Sequence, residues 1–494
     1  MLVEAVVCVA LALLLWHYFK VPAGMPPGRW GLPLIGYIPV TMKSLSEHLS
    51  YMHKQYGDIY VWRMGTQVVV VLHDYLLVKE AHNRTEDFVD RPNWKLLNLG
   101  STKEVGVIGS NGFVWQKNRR FTLRLLRDMG MGKSLLVEAI QHQASSLVEQ
   151  LKKQANRPAP VPHALHVAVV NVIWQMVNGK QFEHHDPRLE KFQELTKDLL
   201  KASFRLGLTD LMPWLEKVLP RTFARSFFRR DLLEDMKIRF TKYFNTLIEE
   251  HRTTLDVNNP RDLIDGYLIE IDKRKDEPDD SFNEYDLSLL LVDLFLAGSE
   301  TTTTSMTWLF CYLANYPEVQ NKLQAEIDQV LPQGTLATLD DKLRMPYTEA
   351  VIHEVLRKSS LIAFGVQHLA TRDTTLGTYT IPKGTVLSTA QEYIHHDPRY
   401  WDRPEQFLPE RWLDQDGKFV AKKEGFLPFG VGKRSCLGEG LARMELFIFT
   451  TTVFQSLSFS APLNKTVDLH YDREVFFTHA PKTQDLLVTI RPTF

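Results

Sequence analysis

Phe429-Gly430-Val431-Gly432-Lys433-Arg434-Ser435-Cys436-Leu437-Gly438 is a glycine-bearing loop that presents one cysteine just ahead of a helix-like apolar run, Leu441 to Val453. A cysteine placed at a helix N-terminus meets free backbone N–H groups and the positive end of the helix dipole. Both lower a thiol pKa and favour the thiolate, the form that ligates a metal such as iron. Gly432 and Gly438 leave room for a flat group to approach the backbone. A lone cysteine is more often an inert buried residue. The surrounding Phe-x-x-Gly-x-Arg-x-Cys-x-Gly pattern turns the reading toward a cofactor loop.

This pattern resembles the cysteine loop of the cytochromes P450, and the resemblance covers essentially the whole chain after its N-terminal segment. It implies a mainly α fold with a smaller β portion and a long central helix over the haem. It also implies haem b (iron protoporphyrin IX) as cofactor, with Cys436 as axial thiolate and metal ligand. Phe429 and Gly438 would then belong to the haem-binding loop, and Arg434 would pair with a haem propionate. By the same resemblance, Trp115 and Arg119, which share a helix face at i and i+4, grip a propionate. Asp90-Arg91-Pro92 upstream fits as well, and His368 resembles another propionate contact. Gln367 stands before His368 where many family members carry proline. Glu354-Val355-Leu356-Arg357 and Pro409-Glu410-Arg411-Trp412 imply a buried Glu354–Arg357–Arg411 cluster behind the cysteine loop, with Trp412 in place of the usual phenylalanine.

The longest helix is expected to begin at Ser281-Phe282-Asn283-Glu284, a capping-box pattern, and to stop near Asn315 before Pro317. Over 30 residues at 1.5 Å each give about 50 Å, enough to cross the domain. Within it lies Ala297-Gly298-Ser299-Glu300-Thr301, which resembles the family's oxygen-activating stretch. Ala297 and Gly298 would face the cofactor, with Gly298 letting the helix approach closely. Thr301 would hold a water or hydroperoxide, and Glu300 would relay protons from solvent. Splitting an O–O bond needs two protons, so an acid beside an alcohol suits the task. The run Thr301–Thr304 is β-branched and hydroxyl-bearing, which predicts a locally weak or distorted helix.

Elsewhere, alternation from Asp58 to Leu72 with Gly65 at the turn predicts a hairpin. A second strand pair is expected from Thr375 to Thr389, turning at Ile381-Pro382-Lys383-Gly384, and a third in the last 30 or so residues. Most of the chain from Trp115 to Asn315 has helical periodicity.

Of the 494 residues 44% are hydrophobic and 24% charged, and the formal net charge is −1, so no global field points to nucleic acid. Three cysteines, Cys8, Cys311 and Cys436, are too few and too widely spaced for a disulfide framework or a zinc site, which predicts a reducing compartment. Residues 1–20 read as a transmembrane signal anchor and 21–40 as a stiff proline-rich hinge. Residues 41–494 read as the haem-thiolate monooxygenase domain. Lys20 and Arg29 after the apolar run, and Glu4 within it, predict a cytoplasmic body on the endoplasmic reticulum membrane. A cleaved secretory signal is the rival reading.

No flavin motif is present, so electrons must arrive from outside. Arg120, Arg124 and Arg127, with Lys422, Lys423 and Lys433, form a candidate docking patch. The resemblance implies an NADPH-cytochrome reductase as donor, cytochrome b5 as a second partner, and a lipid bilayer. It places pocket walls at Phe113, Ala297, Ile362, Ala363, Phe364, Val366, Phe476 and Phe477, which suit a hydrophobic small molecule. Gln367 could hydrogen-bond a carbonyl or ester head group. Asn171-Val172-Ile173, Pro260-Arg261-Asp262 and Pro317-Glu318-Val319-Gln320 resemble the family 2 clan of microsomal members, with an arthropod cast. Epoxidation of a sesquiterpenoid such as methyl farnesoate, in juvenile hormone biosynthesis, is the specific expectation. Broader hydroxylation of steroids, fatty acids or foreign compounds is the alternative. A haem carrier or sensor without turnover, and a membrane scaffold, remain as readings of another class.

Overall fold

A computed structural model describes residues 3–6, 9–10, 12, 21–32, 34–38, 45–101, 103–128, 130, 134–183, 185–276, 282–473, 475 and 478–492. Twelve helices frame it: α1 Leu45–Tyr56, α2 Tyr75–Asn83, α3 Gly112–Asp128, α4 Ser134–Lys153, α5 Ala164–Asn178 and α6 Pro187–Leu211. They continue with α7 Arg230–Thr253, α8 Leu263–Arg274, α9 Glu284–Asn315, α10 Pro317–Val330, α11 Pro346–Ser359 and α12 Glu439–Ser456. Shorter helical turns connect them.

Helix α5 is apolar on every side, and all but its first residue and Gln175 are buried, as expected of a helix enclosed by others. It ends at Gly179, whose φ of 61° supplies the left-handed cap. Helix α9 runs 32 residues between α5, α7, α11 and α12 and is the spine of the core. Its N-cap is Asn283, whose side chain accepts from the Asp286 N–H at 2.8 Å. The helix thus starts two residues later than the capping-box reading placed it, and Ser281 lies outside the described residues. The run Thr301–Thr304 stays helical because hydroxyls bond one turn back: Thr301 to the Ala297 carbonyl and Thr303 to that of Ser299, both at 2.7 Å.

The β portion includes a five-stranded sheet ordered β1-β2-β3-β8-β5. Its strands are β1 Gly28–Arg29, β2 Ile59–Met64, β3 Gln67–Leu72, β5 His368–Leu369 and β8 Val386–Thr389. The first hairpin forms as expected, β2 against β3 with Ile59 opposite Leu72. The proline-rich connector is pinned to this sheet, with Gly28 opposite Val61, where a Cβ would stand 1.9 Å from the Val61 carbonyl oxygen.

The second expected pair is corrected. Thr374–Leu376 (β6) and Tyr379–Ile381 (β7) make their own two-stranded hairpin, turning at Gly377 with φ 55°. Residues 382–385 instead carry the chain to β8, which pairs parallel with β3. The third expectation is half right: Leu486–Ile490 (β10) is a strand, but it pairs with β9 Leu457–Ser460 and β4 Pro158–Ala159, earlier in the chain. Most of the expected anchor lies outside the described residues. Among the described residues no helix is long and apolar enough to cross a membrane.

Candidate active site

The loop 429–438 enters α12 at Gly438. Behind it Glu354 and Arg357, both fully buried, join by two hydrogen bonds of 2.7 and 2.9 Å, and Arg411 adds a third contact at 3.1 Å. Trp412 does what phenylalanine could not: its indole N–H donates to Glu354 at 3.0 Å. The cluster reaches the loop through His395, whose carbonyl accepts from Arg357 and whose Nε2 accepts from the Leu427 N–H at 2.9 Å. This ties the ion cluster to the start of the cysteine loop.

Cys436 sits at the head of α12 with the Gly438 and Glu439 N–H groups on its sulfur, and its own N–H donates to the Phe429 carbonyl at 2.8 Å. Its side chain is enclosed by protein yet open to an internal cavity of about 840 Å³. The expected lowering of the thiol pKa is overturned. Burial raises it, and the two amides and Arg119 offset only part of that rise. The thiolate therefore needs a cation, which deprotonates a coordinating thiol outright. Cys311, by contrast, is 1% exposed and pushed up to about 12 by burial.

One wall of the cavity is unusually cationic. Arg434 donates to the Val89 and Ser110 carbonyls, Arg91 to those of Val366 and Gln367, and Arg119 to that of Ser435. No carboxylate is among these partners. Burial and Arg91 push the Arg434 guanidinium down to about 8, and burial and Arg119 push Arg91 to about 9. Nη1 of Arg434 and Nε of Arg91 are buried without a hydrogen-bond partner. Two buried cations with orphaned donors, beside the half-buried Arg119, call for a ligand carrying carboxylates. His368 lines the same wall, its Nδ1 on the Phe88 carbonyl at 2.7 Å and its ring stacked on His82 at 4.0 Å. Around Gly438 a Cβ would meet nothing within 4 Å. Gly432 serves another purpose: at φ 79° its Cβ would fall 2.2 Å from the His82 carbonyl oxygen, so it lets the loop close on α2.

Opposite, α9 lines the cavity with Ala297, Gly298, Glu300 and Thr301. Gly298 is small for the sake of a neighbouring helix, since a Cβ would stand 2.5 Å from Ile173 Cδ1 on α5. Burial pushes Glu300 up to about 7. Asp293, about two turns earlier, accepts from the N–H groups of Val107 and Ile108 at 2.7 and 3.0 Å, and burial raises it to about 7.

Of the expected pocket walls, Ala297, Ile362 and Val366 line the cavity. Phe113 does not; it is 60% exposed at the start of α3. Ala363 is buried away from the cavity, and Phe364 packs into the cluster of Trp62, Val69 and Val386. Gln367 is also displaced: Val366 and His368 line the cavity and Gln367, between them and just ahead of β5, does not. Phe476 and Phe477 lie outside the described residues. Residues the sequence reading passed over are Asp293, His163 and His166, and the role of Arg91 was noted only as part of a tripeptide. Nothing in their local sequence distinguishes them, because their partners are distant in the chain.

The chain belongs to the cytochrome P450 family, whose family model matches residues 26–487. It is 43% identical to cytochrome P450 2L1 of Panulirus argus over 476 residues, covering 96% of each chain. It is 38% identical to cytochrome P450 2J3 of Rattus norvegicus, covering 96% of this chain and 93% of the relative. It is 37% identical to cytochrome P450 2B4 of Oryctolagus cuniculus, covering 92% and 91%. The protein is thus a family 2-like haem-thiolate monooxygenase, and its cofactor is haem b on an axial cysteine thiolate.

Proposed function

We propose that Cys436 holds the haem iron, and that Trp115, Arg119, His368 and Arg434, joined by Arg91, hold the propionates. The observation that carries this is the meeting of one cavity-facing cysteine with three arginines, Arg91 and Arg434 buried and Arg119 half-buried, that have no carboxylate among their hydrogen-bond partners. Bound there, haem supplies activation of dioxygen and insertion of one oxygen atom into a hydrophobic substrate. The chain's residues do the rest. Ala297, Ile362 and Val366 shape an apolar space and exclude water. The Thr301 hydroxyl, held on the Ala297 carbonyl, keeps its lone pairs free to accept. Glu300, near neutrality in its pKa, is poised to give and retake protons.

Electrons come from an NADPH-cytochrome reductase, with cytochrome b5 as a second donor. The exposure of Arg120, Arg124, Arg127, Lys422 and Lys433 supports a docking patch, although Arg124 is shared with Glu270 at 3.8 Å. Residues 1–20 anchor the protein in the endoplasmic reticulum membrane, 21–40 set the angle, and 41–494 form the catalytic body. The substrate is a sesquiterpenoid such as methyl farnesoate, epoxidised in juvenile hormone biosynthesis; the higher identity to the Panulirus relative than to mammalian ones supports the arthropod cast. Hydroxylation of steroids, fatty acids or foreign compounds is the second reading, compatible with the apolar walls at Ala297, Ile362 and Val366. Incubation with methyl farnesoate, reductase and NADPH yields the 10,11-epoxide if the first is right; its absence, with a thiolate-type carbon monoxide spectrum intact, leaves the second. Loss of that spectrum in Cys436→Ser tests the ligand.

A further inference from the structure

Glu300 does not end the polar surface of the cavity. His166, in the first turn of α5, is 2% exposed, and its Nδ1 lies 3.6 Å from Glu300 Oε1. Neither ring nitrogen of His166 has a hydrogen-bond partner, nor has that Glu300 oxygen. The half-buried His163 stacks near it, ring centroids 5.7 Å apart, with a free Nε2 and a side-chain bond to Gln193. His163, His166, Gln193, Lys197, Glu300 and Thr301 all line the one cavity, and Lys197 on α6 is exposed. A polar arm therefore runs from the α5–α6 surface to the acid on α9.

We propose that His166, assisted by His163, carries protons along this arm from solvent to Glu300. The inference rests on the reading of Glu300 and Thr301 as the acid and alcohol of oxygen activation. A buried histidine with two unpartnered nitrogens is costly as a packing element and well made for passing protons. Burial holds the His166 ring neutral, so it carries one N–H and one lone pair. After Glu300 has given its proton, the His166 Nδ1–H passes to the carboxylate while Nε2 takes a proton from water on the His163 side. One proton enters and one leaves, and exchange with cavity water restores the starting tautomer. The groups facing His166 are Glu300 from α9, His163 ahead of α5, and Gln193 and Lys197 from α6. Lys197 opposes an imidazolium, which favours transit over storage.

The test needs no substrate. Holoenzyme with reductase and NADPH reduces dioxygen either to hydrogen peroxide (one NADPH) or to two waters (two NADPH), and only the second needs two protons on the distal oxygen. In His166→Asn the peroxide share is expected to rise roughly threefold or more, with a changed solvent deuterium effect and unaltered haem content. A second readout is independent of turnover: the infrared carboxyl band lost in Glu300→Gln should exchange more slowly in D2O in His166→Asn. His166→Gln replaces it where no haem protein forms, and His163→Gln gives a smaller effect of the same sign. Unchanged peroxide share and exchange rate in the histidine variants, beside an altered Glu300→Gln, overturn the relay and leave the acid reading standing. An unaltered Glu300→Gln overturns both.

Discussion

The Arg434 guanidinium lies over the Trp115 ring, its central carbon 3.8 Å from the ring centroid. The cysteine loop and α3 are thereby joined by a cation resting on an aromatic face, with one buried N–H left over for a ligand. Charge-assisted hydrogen bonds contribute about 1.5–3 kcal/mol. Arg434→Met is therefore expected to weaken haem binding about 10- to 100-fold, measured by transfer of haem to an acceptor globin. Retention equal to wild type would remove Arg434 from the propionate wall.

The Trp412–Glu354 bond makes a smaller, separable prediction. Trp412→Phe keeps the ring but deletes the donor, and is expected to cost about 1 kcal/mol in thermal unfolding. Glu354→Ala strands Arg357 and Arg411 and is expected to cost about 3–5 kcal/mol, with little haem protein recovered.

Gly298→Ala gains helix propensity of up to about 1 kcal/mol but drives a methyl into Ile173 Cδ1, an overpacking cost of about 1–3 kcal/mol. Ile173→Val deletes that Cδ1 atom. The alanine is expected to destabilise the native protein and to turn neutral or stabilising in the valine background. Strict additivity in this double-mutant cycle would show that the helices do not meet there.

His251 at the end of α7 bonds Asp262, the N-cap of α8, at 2.9 Å, and this carboxylate raises its pKa despite burial. A raised folded-state pKa stabilises fully below the unfolded value near 6.5 and is lost as pH climbs through the folded value. The stability gap between wild type and His251→Asn should shrink as pH rises above about 6.5 in thermal melts. A gap independent of pH would exclude the imidazolium.

Charge reversal at Arg120 and Arg127, both exposed, should slow reductase-driven turnover by roughly tenfold at low salt and spare peroxide-driven turnover. Equal slowing of both would place the arginines in the fold rather than in docking.

What could be read from sequence was whatever depends on residue type at short range. The cysteine loop, the long helix α9 and the β2–β3 hairpin all declare themselves from local residue patterns, although the α9 cap lies at Asn283 rather than Ser281. The second hairpin was misread because Gly377 and Gly384 are equally good turn residues, and only sheet pairing decides between them. Pocket walls fared worst. Whether Val366 or Gln367 faces the cavity depends on the path of the irregular segment before β5, and the exposure of Phe113 on the way α3 begins. The thiol of Cys436 was misjudged because burial, a property of the whole fold, outweighs the amides beside it.

Asp293 fastens two successive amides, those of Val107 and Ile108, to the spine helix with a single carboxyl. A ceiling stitched at that seam resists sliding to admit bulkier guests. Diversification of what this chamber accepts must then proceed by exchanging the side chains that face inward, while the stretch 106–108 stays a fixed roof tie.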